Sequence, residues 1–203
     1  MIRAKKLAFY GLVALLAGCV PIVSLNHLFT KDEITFDEKL VGTWMADPND
    51  PNEIWEFSRL DKSNAGELLQ RWGDEITKFY RLTFTDGEGH TSLQAACLVK
   101  LGDRRFLDVF PTQFPSEGEA FFFQPVHTFF RVDSLGEKLV IRMTDDERFK
   151  EFAQAEPNAV KCEIVDDRPI LTASTKDLQA FVTKYAGDER LFPNDVTLTR
   201  KAK

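Results

Sequence analysis

The chain is poor in the residues that carry covalent and metal chemistry. It holds three cysteines and three histidines, and no Cys-x-x-Cys, which excludes a sulfur-based zinc ribbon or a paired-thiol redox motif. His27, His90 and His127 lie far apart, so no two share a metal-ligand spacing such as His-x-x-x-His. Gly-x-Ser-x-Gly, His-Glu-x-x-His and phosphate-loop motifs are missing as well. No catalytic residue, cofactor or metal site is expected from these motifs. A basic excess is also lacking, with 26 Lys and Arg against 32 Asp and Glu. Nucleic-acid affinity comes largely from neutralised phosphates, so no nucleic-acid partner is expected.

What stands at the N-terminus is more specific. Arg3, Lys5 and Lys6 precede an apolar run that ends in Leu16-Ala17-Gly18-Cys19. A basic stretch, an apolar stretch of roughly a dozen residues and small residues before a cut describe a secretory signal peptide. A cysteine directly after Ala-Gly turns that signal into a lipobox. The Cys19 thiol takes the diacylglyceryl group and its amine becomes the new N-terminus. Residues 1–18 read as the signal, 19–36 as lipidated Cys19 with a tether, and 37–203 as one globular domain. Two other readings stay open: an uncleaved membrane helix over residues 7–25, since a span takes about 20 apolar residues, and an ordinary cleaved signal. Residue 20 is Val rather than Asp, so nothing argues for retention at an inner membrane. The expected location is the cell envelope, at the outer membrane facing the periplasm if the host has two membranes. The membrane partner is engaged through Cys19. Cleavage leaves 23 basic residues against 32 acidic ones, so acyl chains and not charge must hold the protein there. One chain binds marginally, whereas two or more hold stably.

Lipidation of Cys19 leaves Cys97 and Cys162. In an oxidising compartment this pair reads either as one disulfide or as two separate buried thiols, and the sequence leaves both open.

From about residue 40 the pattern is that of strands. Tyr80, Leu82 and Phe84 alternate with Arg81 and Thr83, the period of a half-buried strand. Turn residues at 85–89 and Gly102-Asp103, and Pro111, divide 76–84, 91–100 and 105–110 into a meander of hairpins. Further strands are expected near 126–132 and 138–143, with shorter ones at 53–59, 67–71, 160–165, 169–172 and 195–200. So many antiparallel strands remove their exposed edges by closing. Two helices are expected in the C-terminal half. The first starts at a capping box, Thr144 to Glu147, and carries Phe149, Phe152 and Ala153. The second is capped by Ser174 and carries Leu178, Phe181, Val182 and Tyr185 at helical spacing. The fold class is mainly β with two amphipathic helices, α+β in character, built on a closed antiparallel β-barrel.

Gly42 and Trp44 open the globular part, and Arg200 shares a late strand face with Val196 and Leu198. Glycine allows close backbone approach, Trp44 supplies a large plug, and a guanidinium over its face makes a cation–π contact. In these three residues and in the meander between them the chain resembles the calycin superfamily, the lipocalins and fatty-acid-binding proteins. The layout is similar to lipocalin-like bacterial lipoproteins of unassigned function. The resemblance implies that Gly42, Trp44 and Arg200 close the barrel and are not a binding site. It also implies one principal helix before the last strand, which leaves the helix near 145–155 as an addition.

The aromatic content carries the functional hint. The chain has 18 Phe against three Tyr and three Trp. Phe121-Phe122-Phe123 is a consecutive triplet, and as a strand it could not turn every ring inward. With Phe129 it forms a candidate ligand or interaction patch, the alternative being a Phe-rich core under a loop. Asp145, Asp146 and Glu147 suit a helix N-terminus, and residues 47–52 read as a proline-rigid turn and not as a calcium loop. The expected function is a non-enzymatic, membrane-anchored module binding an apolar or amphipathic small molecule. Its alternative is an envelope assembly factor or inhibitor that meets other proteins and no small ligand.

Overall fold

The computed structural model describes residues 21–47, 50–112 and 124–201. Cys19, the signal over 1–18 and Phe121–Phe123 lie outside the described residues.

The chain begins with two short strands, β1 (Val23–Ser24) and β2 (Ile34–Thr35), and a 3-10 turn at Glu38–Leu40. A meander follows: β3 (Gly42–Asp47), β4 (Asp50–Arg59), helix α1 (Glu67–Trp72), a 3-10 segment at Gly73–Lys78, β5 (Phe79–Thr85), β6 (Thr91–Leu101), β7 (Arg104–Pro111), β8 (Thr128–Leu135) and β9 (Lys138–Met143). Next come helix α2 (Asp146–Ala155), the hairpin β10 (Cys162–Val165) and β11 (Arg168–Leu171), helix α3 (Thr175–Tyr185) and β12 (Asn194–Arg200). Strands β3 to β9 pair in sequence, β12 inserts antiparallel between β9 and β3, and the β6–β7 pairing completes the circuit. The result is a closed, eight-stranded antiparallel barrel with helices outside it, which is the fold class read from the sequence.

Alternation places two cores on either side of one wall. Trp44, Trp55, Phe57, Tyr80, Phe84, Phe130, Ile141 and Leu198 fill the inside. Trp44 faces Trp55 across β3 and β4, and the Trp55 ring lies 5.6 Å from Phe84 and 5.9 Å from Phe130. An eight-stranded barrel is narrow enough for side chains of this size to fill. Outside, Phe79, Ala95, Cys97, Val99, Phe106, Phe110 and Phe129 form the floor of a second core. It is roofed by Leu28 and Phe29 from the N-terminal segment, by Phe149 and Phe152 of α2, and by Leu178, Phe181 and Val182 of α3.

Several expectations are corrected. Residues 21–36 are not a tether. Ile22, Ser24, Leu28, Phe29 and Ile34 are buried, because the segment lies as a strap across the bare outer face of β6 to β8. Its first part also adds β1 to a small sheet of order β1-β11-β10, and its last part pairs β2 with β6. Residues 67–71 are helix α1 and not a strand, and Leu68, Leu69 and Trp72 of that helix pack against the outer core. The cap of α2 is Asp145, which accepts from Arg148 N–H at 2.8 Å, while Thr144 Oγ1 donates to Leu191 O. Cys97 and Cys162 are free thiols, one on the barrel strand β6 and one on β10 of the small sheet. Burial, with Asp108 beside it, pushes the Cys97 thiol well above its ordinary pKa, so it stays protonated.

Candidate functional site

Gly42, Trp44 and Arg200 meet at one end of the barrel. Arg200 pairs directly opposite Trp44, and its guanidinium carbon sits 4.1 Å from the indole centre. The guanidinium also donates to Val41 O at 2.8 Å and to Lys39 O. Gly42 has φ +134°, a backbone conformation that favours glycine, and a Cβ there would displace Arg200 Nη1 from its place over Trp44. Trp44 Nε1 donates to Leu40 O at 2.9 Å. Tyr80 OH completes this end, accepting from Asp37 N–H at 2.7 Å and donating to Asp37 O at 3.1 Å. Arg200 Nη1 and Nη2, Trp44 Nε1 and Tyr80 OH thus all bond to the chain's own backbone at this end of the barrel.

Phe129 does not form a surface patch. It is only 6 % exposed, lying in the outer core. Residues 128–130 continue β8 along the wall, and alternation turns Phe129 toward the roof while Phe130 enters the barrel.

The polar centre of the molecule lies in that outer core, and motif reading missed it. Asp108 is fully buried, on the outer face of β7. Its Oδ2 accepts the Leu28 N–H at 2.7 Å, and its Oδ1 lies 2.7 Å from Nδ1 of the buried His127. Backbone bonds fix His127 from the other side, since Ser24 and His127 exchange N–H···O contacts at 2.8 Å each. His27 stands over the pair, its ring 5.8 Å from His127 and 4.8 Å from Phe29, with Nδ1 2.6 Å from Phe29 O. Burial holds the His27 pKa below its ordinary value; the proximity of His127 and Arg71 adds to that, and the Phe29 carbonyl and Asp108 oppose it. A carboxylate accepting two short bonds while fully desolvated is a strong, high-stakes fastener. The sequence did carry one signal for it: an aspartate in the middle of the apolar run Phe106-Leu107-Asp108-Val109-Phe110.

His127 also reaches the edge of an open cleft of about 690 Å³ between α1 and the outer face of β5 to β7. Leu68, Leu93 and Phe110 supply apolar lining, and Arg71, Arg81 and His127 supply basic groups. Among the described lining residues there is no carboxylate, although acids outnumber bases in the chain. Arg81 donates to Asn64 O at 2.8 Å. Arg71 lies over the Trp72 ring at 5.5 Å. The described lining residues include neither serine nor cysteine, and the Thr112 hydroxyl donates to Leu93 O at 3.3 Å. Such a surface can hold an amphipathic molecule with an acceptor-rich head; it offers no activated nucleophile among the described residues. Nor do the described residues contain a group of three His, Cys, Asp or Glu placed to hold a metal ion.

The architecture defines the class: a closed, up-and-down, eight-stranded antiparallel barrel with an outer layer of strap, hairpin and helices. No family model matches the chain, and neither a curated protein nor a solved structure matches it.

Proposed function

We propose that this chain is a bacterial lipoprotein with a lipocalin-like barrel, anchored in the cell envelope through acylated Cys19. In a two-membrane host it sits at the outer membrane, facing the periplasm. The anchor reading gains support from β1. An uncleaved helix over residues 7–25 is incompatible with a strand at Val23–Ser24 paired to β11. At most 14 residues, 7–20, would then remain for it, about 21 Å of helix against a hydrocarbon core of about 30 Å. Among the described residues no helix is long and apolar enough to cross a membrane.

The protein acts as a binding module for an amphipathic small molecule. The observation that carries this is the division of space: the barrel interior is packed with aromatic rings, while the outer cleft is open, partly apolar and lined with cations. Its volume falls in the range of about 300–1,000 Å³ of small-molecule sites. The ligand lies against the outside of the wall, its apolar part on Leu68, Leu93 and Phe110 and its acceptor head toward Arg71 and Arg81. The filled interior also favours a second reading, an envelope interaction factor without a small ligand.

Native mass spectrometry separates the two readings. The chain from Pro21 onward, exported on a cleavable signal and purified without detergent, should carry an extra mass extractable as an amphipathic metabolite. Leu93→Arg should remove it. A clean mass, with no change in amide exchange over residues 64–71 when a medium-chain fatty acid is added, would overturn the binding module in favour of the interaction factor.

A further inference from the structure

The start of β1 and the tip of the β10–β11 hairpin lie at one end of the small sheet. In the parallel β1–β11 ladder Val23 lies opposite Ile170 and Ser24 opposite Leu171. The chain therefore joins the sheet at the end where β10 turns into β11, through Asp166 and Asp167 at φ 49° and 63°. Both features are bolted to the start of α2. Pro21 bridges to Asp145, and Ile22 N–H donates to Thr144 O at 3.0 Å. From the hairpin, Arg168 Nε lies 3.2 Å from Asp146 Oδ2, and Lys150 Nζ lies 3.1 Å from Asp167 Oδ2. Between Cys19 and Pro21 there is only Val20, and two residue steps reach at most about 7 Å. Acyl chains on Cys19 would thus emerge beside the hairpin tip, with no linker on which the domain could swing away.

The same sheet carries the exposed aliphatic surface. Among the described residues the exposed large hydrophobics are Leu25, Ile164 and Val165, at 39, 58 and 49 %. Leu25 directly follows β1, and the other two are on β10. That strand is an edge, paired among the described residues with β11 alone. The bond from Thr172 N–H to Lys161 O, 3.0 Å, sets the phase of the ladder, so the backbone groups of Cys162 and Ile164 face away from β11. Unpaired backbone polar groups are tolerated in the wet headgroup layer and not in hydrocarbon. Around the hairpin Lys150, Lys161 and Arg168 stand against Glu163, Asp166 and Asp167 and against Asp146 and Glu147 of α2, so there is no basic excess. A rim without a basic excess gains nothing from an anionic surface, which leaves a zwitterionic one as the fitting partner.

We propose that the β10–β11 hairpin is a second membrane contact, lying edge-on in the headgroup layer of a zwitterionic bilayer. Ile164 and Val165 reach the acyl boundary beside the chains of Cys19, as apolar side chains of interfacial segments do. This inference rests on the lipoprotein reading above. It gives the barrel one fixed orientation on the membrane, where a tethered domain would tumble.

The test uses the mature acylated protein in phosphatidylcholine vesicles whose acyl chains are brominated, with the signal of Trp44, Trp55 and Trp72 subtracted. Ile164→Trp should be quenched at least about twofold more than Asp103→Trp, placed on the β6–β7 turn at the barrel end opposite Thr144–Asp145. Val165→Trp should match it, and serves if the first variant folds poorly. Equal quenching at the hairpin and at residue 103, with the acyl mass present on Cys19, overturns the hairpin contact and leaves the anchor standing. Absence of the acyl mass overturns the anchor, and the hairpin contact with it.

Discussion

Along β7, Leu107 and Val109 face into the barrel while Phe106, Asp108 and Phe110 face out, and all five are buried. The inner set packs against strands that neighbour one another in sequence, through the pairings β3 to β9. The outer set is covered by segments from far along the chain. Leu28 N–H meets Asp108 across 80 positions, and Asn26 Nδ2 donates to Ala173 O across 147. One wall thus separates a core made by local hairpins from a core made by long-range closure. Loop-closure entropy must be met before the second kind of contact forms, so the roof should open more readily than the barrel.

Trp44→Ala tests the inner core and should have the largest effect. Removing a fully buried indole should lower stability by about 3–5 kcal/mol, read as a shifted urea midpoint; a near-neutral result would mean that the closed end collapses without loss. Asp108→Ala tests the outer core. It strands the Leu28 N–H and His127 Nδ1, each at about 1–3 kcal/mol. Amide exchange should then quicken over residues 22–30 while β3, β4 and β12 keep their protection. Equal loss of protection on both sides of the wall would show that the two cores open as one.

His27 makes the same division pH-dependent. Burial holds its folded pKa below the ordinary value, so the unfolded chain takes up that proton first as pH falls. The stability this group supports is complete above about pH 6.5 and declines from there down to the folded pKa. Strap protection should weaken as pH falls below about 6.5, and His27→Phe should flatten that dependence. A dependence unchanged in the variant would place the sensitive group elsewhere. The smallest effect compares two indoles in the inner core. Trp44 Nε1 donates to Leu40 O, whereas Trp55 Nε1 is buried without an acceptor among the described residues. Both Trp→Phe changes remove the same volume, but the first also loses the Leu40 bond and weakens the Arg200 contact, so Trp44→Phe should be less stable than Trp55→Phe by about 1 kcal/mol. Equal losses would mean that the Leu40 bond and the Arg200 contact together contribute nothing net.

The barrel was legible because period-two alternation is a local signal. Tyr80, Leu82 and Phe84 could be assigned to one face from their spacing, and the turns at 85–89 and 102–103 divided the strands. The two C-terminal helices were legible for a similar reason, although the cap of the first shifted from Thr144 to Asp145. The strap was not. Ser24-Leu25-Asn26-His27-Leu28-Phe29 has no period of its own, since each residue answers to a different element of the wall and roof. Helix α1 is not legible as a helix because the five residues 67–71 are too few for either period to show. The candidate cleft was equally hidden, since Arg71, Arg81 and His127 come from α1, β5 and the start of β8.

Local chemistry in the chain settled which residues alternate, where hairpins turn and where helices begin, because those choices depend on neighbours within a few positions. It also made Gly42 and Trp44 visible as a pair. Tertiary structure alone decided that the inside would be filled and that a second core would form on the outside of the same wall. It also bound Asp108, His127 and residues 22–30 into one buried fastening. Those outcomes depend on which distant surfaces remain apolar once the barrel has closed, a property of the assembled wall that no single segment carries.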